Sequence, residues 1–153
     1  MKKFKFTLQT VHNFRELRKE RESVLLGELQ AEADQAMERV RHYEALRNEA
    51  IDDYTSRLRS GEQMNAIEME LNSNHFDSLK RLRQEAEKIA EEKDQACQRQ
   101  IEAVAAAMSE VKVTGRLRET QKSAHDSESA RQEQNSVDEI VSTNFARQLI
   151  QIR

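Results

Sequence analysis

Leu26, Leu29, Ala33, Ala36, Val40, Tyr43, Arg47, Ala50 and Tyr54 follow one another at alternating steps of three and four residues. Eight of these nine positions are apolar or aromatic. That ladder is the seam of a helix that packs along another helix, and no strand has this period. A second ladder follows. Met64, Ile67 and Leu71 open it, and it slips by steps of four through His75 and Leu79. It then runs Leu82, Ala86, Ile89, Lys93, Ala96, Gln100, Ala103 and Ala107. Ala-rich seam positions predict close helix approach. Upstream, Leu8, Val11, Phe14 and Leu17 form a stripe offset from the first ladder, which predicts a local break in register.

The chain contains no Pro and only three Gly in 153 residues. Gly61 lies in "SRLRSGEQMN", where apolar periodicity lapses, and is the expected turn. The fold class is therefore all-α: a long antiparallel two-helix coiled-coil hairpin. One coiled-coil domain is expected over residues 1–153. Helix 1 spans about 6–58, the turn about 59–63, helix 2 about 64–120, and an overhanging C-terminal segment 121–153. A turn centred at Gly61 makes residue i face roughly position 122 − i, so Val40 should meet Leu82 and Leu26 should meet Ala96. At 1.5 Å per residue the first arm would measure roughly 80 Å.

Composition agrees with this geometry. The chain is 37% hydrophobic and 35% charged, too polar for a thick core but rich in helix formers. A seam this thin predicts marginal stability. The stretch "ETQKSAHDSESARQEQN" has little to bury. After it, Val137, Ile140, Val141, Phe145, Leu149 and Ile152 recur at helical spacing, with no facing helix left to cover them.

Charge and cysteine content bound the partners. Residues 1–22 hold seven Lys or Arg against three Glu, a net +4 in a chain whose formal charge is −3. A basic end suits an acidic protein surface, an anionic membrane or nucleic acid. Glu interrupts the cluster, so nucleic acid is not expected. A single Cys97 permits no internal disulfide, in keeping with a reducing compartment. No apolar run reaches about 18 residues, so no membrane insertion is expected. "MKKFKFTLQTVHNF" lacks the continuous apolar core of a signal peptide.

Catalysis is not expected. His12, His42, His75 and His125 share no window with Cys97, and no two lie three or four apart. No Gly-rich phosphate loop exists. A two-helix hairpin offers no water-excluding cleft. Cofactors and metals are accordingly expected to be none. His75 reads as a polar interruption of the seam.

The ends carry a resemblance. "FKFTLQTVHNFRELRKERESVLLGEL" resembles the N-terminal segment of the flagellar FliJ family, and "YTSRLRSG" stands where that family turns. "ARQEQNSVDEIVSTNFAR" resembles its C-terminal segment, here Glu133, Gln134, Asp138, Glu139 and Ile140. The resemblance implies a small cytoplasmic protein of flagellar type III export, peripheral at the inner face of the cell membrane. It implies a stalk, similar to that of the rotary ATP synthase γ subunit, whose terminal helices enter a hexameric export ATPase. It also implies contact with the cytoplasmic part of the export gate, escort of export chaperones, and a role in flagellum assembly and motility. Carried onto this chain, the gate contact falls on His75, Phe76, Leu79 and Leu82, with Phe76 beside the seam as the exposed member. The ATPase contact falls on Arg15, Arg18, Arg21, Ile140, Phe145 and Leu149. The free chain is expected to be a monomer. A virulence-type secretion stalk and a self-associating structural coiled coil are the alternatives.

Overall fold

The computed structural model describes residues 3–151, and the side chains of residues 3–147. Two helices form, and no strand occurs among the described residues. Helix α1 spans Gln9–Arg59 and helix α2 spans Ala66–Gln151. The contacts group into two compact units, one of Glu20–Ala106 and one of Met1–Lys19 with Ala107–Arg153.

In the unit Glu20–Ala106 the turn explains the hairpin. Gly61 takes φ 81°, the left-handed conformation open to glycine. Gly61 N–H donates to Leu58 O (3.2 Å) and Glu62 N–H to Arg57 O (3.3 Å). This pair of bonds closes the last carbonyls of α1 in a Schellman motif. Arg57 and Arg59 place positive charge at the same helix end, where the macrodipole is negative. Helix α2 then starts on a capping box. Asn65 Oδ1 accepts from Glu68 N–H (2.9 Å), and Glu68 Oε2 accepts from Asn65 N–H (3.0 Å). Because Asn65 is the cap, α2 begins at Ala66 instead of near Met64.

Beyond the turn α1 and α2 run antiparallel. Ala36, Val40, Ala86 and Ala90 form the buried cluster, with Tyr43 packed on it. Val40 thus meets Ala86 and Ala90, about one helical turn beyond the expected Leu82. The cause is the connection over residues 60–65, whose midpoint lies past Gly61. Glu32–Lys93 (2.6 Å) and Glu44–Arg83 (3.6 Å) hold the same shifted register. Nearer the far end of this unit, Gln100 Nε2 donates to Glu22 Oε2 (2.6 Å) and Glu22 O (3.0 Å), on the register first expected.

All nine members of the first ladder, Leu26 to Tyr54, are buried or half-buried. The second ladder is rotated. Leu79, Ala86, Lys93, Gln100 and Ala107 lie inward as expected, and Ala96 and Ala103 are half-buried, but the further inward positions are Arg83, Ala90, Cys97 and Val104. Leu82 and Ile89, 41% and 42% exposed, flank the seam instead. Two ladders share every second rung here, and size decides between them. Ala90 and Cys97 admit a closer helix than Leu82 and Ile89 would, and helix separation follows the side chains at the contact. Ile67 and Leu71 are likewise exposed, while Glu68 and Asn72 turn inward.

In the other unit α1 begins three residues later than expected. Phe6 is buried, and its carbonyl accepts from Gln9 N–H (3.2 Å). The break in register does not occur. His12 is buried, and Arg15 and Lys19 are half-buried, so the inward line keeps its spacing of three and four, filled with polar residues. Leu8, Val11, Phe14 and Leu17 are exposed. Helix α2 continues unbroken through the polar stretch. Pairs four apart support it there: Gln132 Nε2 donates to Glu128 Oε1 (3.0 Å) and Gln134 Nε2 to Asp138 Oδ1 (2.9 Å). The overhang is also less bare than expected at its start, since the Phe4 ring meets the His125 ring edge-on at 5.6 Å. Among residues 131–147 every side chain is exposed.

Candidate functional site

Two surfaces carry the candidate docking residues, one in each unit. In the unit of Met1–Lys19 with Ala107–Arg153, a polar clasp joins the helices. Thr114 Oγ1 lies 3.1 Å from Val111 O and 3.3 Å from Glu110 O on its own helix. The same hydroxyl oxygen lies 2.7 Å from His12 Nδ1, a hydrogen bond whose donor is set by the imidazole tautomer. His12 Nε2 looks toward Glu16 Oε1 at 3.6 Å. Arg15 Nη1 donates to Glu110 O (3.1 Å), and Arg18 Nη1 sits 3.3 Å from Glu110 Oε2. Arg15 and Arg18 thus already hold α2, whereas Arg21, in the other unit, is exposed with no partner among the described residues.

The terminal stripe is where the sequence puts it. Val137, Ile140, Val141 and Phe145 are 52–63% exposed on α2. Leu149 lies within α2 with its side chain outside those described, and Ile152 lies outside the described residues. Such a run of large apolar side chains with nothing over it marks an interaction surface.

In the unit Glu20–Ala106 the four gate candidates divide. Phe76 is a seam residue, half-buried edge-on against Tyr54 at 5.7 Å, and so is not the exposed member. Leu79 is buried. His75 and Leu82 are exposed, and His75 does not interrupt the seam. With Ile67 and Leu71 they follow one helical face at steps of four, four and seven.

Two features escape a reading by apolar pattern. His12 occupies a seam position reached by stepping upstream from Leu26 through Glu22, Lys19 and Arg15, a line with no apolar residue to announce it. Arg47 and Arg83 sit inward with buried Nε atoms that have no acceptor. No group of three or more His, Cys, Asp or Glu able to hold a metal occurs among the described residues. No described helix is long and apolar enough to cross a membrane.

Two long helices packed as a hairpin about a tight glycine turn, with an exposed apolar stripe late in the second, define an all-α coiled-coil protein. The family model described as flagellar FliJ protein matches residues 4–149. The chain belongs to the flagellar FliJ family, and is a flagellar export-related protein associated with the export apparatus. Searches of curated proteins and of solved structures return no match.

Proposed function

We propose that the chain is a non-catalytic stalk of flagellar export that docks two partners through separate surfaces. The terminal stripe of Val137, Ile140, Val141 and Phe145 binds the hexameric export ATPase. The face of Ile67, Leu71, His75 and Leu82 near the turn binds the cytoplasmic part of the export gate. Escort of export chaperones belongs to the same reading, at the inner face of the cell membrane. The observation that carries it is the terminal stripe, whose apolar side chains have no cover among the described residues. Apolar burial of about 25 cal/mol per Å² makes such a stripe a strong docking element once a partner covers it.

Pull-down with the export ATPase tests this, using the full chain and a chain ending at Gln134. Capture by the full chain alone is the expected result. Equal capture by both would remove the stripe from docking, and capture by neither would remove the ATPase from the reading.

A further inference from the structure

Arg47 on α1 and Arg83 on α2 take inward positions in the unit Glu20–Ala106, where neighbouring rungs hold Tyr43, Ala50, Leu79 and Ala86. The Nε atoms of both are buried without a hydrogen-bond acceptor. Arg83 is partly satisfied, since its Nη2 lies 3.0 Å from Glu87 Oε1 and 3.6 Å from Glu44 Oε1. Arg47 has no hydrogen bond or ion pair to any described residue. Together with Lys80, Gln84 and Glu87 the two arginines line a recess of about 200 Å³. Lys80 also has no partner among the described residues. Two carboxylates therefore serve Arg83, while Arg47 and Lys80 keep uncompensated charge around one cavity.

A buried Nε–H without an acceptor is costly, because that group has given up hydration and received nothing in exchange. The guanidinium fork of N–H donors matches an oxyanion, with two parallel charge-assisted bonds. The recess is several times the roughly 30 Å³ share of one water, and admits a carboxylate or a phosphate group. We propose that this recess is an oxyanion-binding site. Arg47 and Arg83 grip the anion from the two helices, and Lys80 adds charge at the rim. The anion is either the carboxylate of an acidic side chain or a phosphate. The site is independent of the terminal stripe and of the exposed face near the turn.

The test follows the arginine Nε–H resonances of the full chain by proton–nitrogen correlation spectroscopy. Sodium acetate or sodium phosphate is titrated at constant ionic strength against chloride. The expected result is a saturable shift of the Arg47 and Arg83 signals, with none at the exposed Arg39. Arg47→Gln should weaken binding by roughly tenfold or more, the worth of a charge-assisted hydrogen bond, and Lys80→Gln severalfold. Lys80 is exposed, so its variant keeps the test valid if Arg47→Gln perturbs folding. A response to acetate identifies a carboxylate as sufficient, and a response to phosphate alone identifies a phosphate. Absence of saturable shifts, equal shifts at Arg39, or unchanged binding in both variants would overturn the proposal.

Discussion

The two units solve the same packing problem with different chemistry. Glu20–Ala106 is held by small apolar side chains, Ala36, Val40, Ala86 and Ala90, at close approach. The unit of Met1–Lys19 with Ala107–Arg153 is held by directed polar contacts, His12 to Thr114 and Arg15 and Arg18 to Glu110. Phe6 is buried there, but the large apolar Phe14, Leu17, Val137 and Phe145 are left outside. Apolar packing is tolerant of sequence but spends the hydrophobic side chains internally. Hydrogen-bonded clasping spends polar groups and leaves hydrophobic ones free for a partner. The difference teaches which end is built to stay together and which is built to receive.

The largest effect that distinguishes the units is a buried charge. Val40→Asp places a carboxylate in a site 7% exposed, among Ala36, Ala86 and Ala90. A loss of about 3 kcal/mol or more is expected in denaturant unfolding. Phe145→Asp, at a residue 63% exposed, should change stability by no more than about 0.5 kcal/mol. If the two substitutions cost the same, the contrast between the units is wrong.

A smaller effect probes the clasp. Thr114→Val keeps the shape but removes the hydroxyl, leaving the buried His12 Nδ1 unpaired. The expected cost is about 1–3 kcal/mol. Amide exchange should speed up around residues 107–118, since the change is local to that unit. Unchanged exchange there would mean the clasp contributes nothing.

The smallest effect is at the turn. The hydrogen bond from Arg57 and, after it, the charge of Arg57 hold the Glu62 carboxyl below its ordinary value. Arg57 Nη2 lies 2.8 Å from Glu62 Oε1, and Arg57 Nε 3.0 Å from Oε2. A carboxylate lowered by folding adds stability above its unfolded pKa, and loses it as pH falls through the lowered folded value. The pair is solvent-exposed, so the change in stability is slight. Carbon-detected titration of Glu62 should give a midpoint below the usual glutamate range, and Arg57→Gln should raise it. A midpoint unmoved by that substitution would show that the pair does not form.

Much of the fold is legible in the residues. Nine rungs of the first helix are read correctly because each apolar position there has a polar alternative beside it. The turn is legible because Gly61 is the one glycine outside a periodic stretch. The exposed terminal stripe is legible because the first helix is too short to reach it. Other parts are not. In α2 the ladders through Leu82 and Ile89 and through Ala90 and Cys97 are both helical, and apolarity favours the wrong one. His12 and Arg83 are hidden because polar side chains carry no periodic signal of burial. Phe76 looks like a surface residue only while the rotated seam is unknown.

By itself the sequence determined that the chain is helical, where it reverses, and that the stripe from Val137 to Phe145 lies exposed. These follow from local propensity, capping chemistry and chain length, which act within a few residues of one another. Tertiary structure decided which face of α2 meets α1, the register past the turn, and which polar groups enter the seam. Those depend on the size and position of side chains contributed by the opposite helix, and no local pattern contains them.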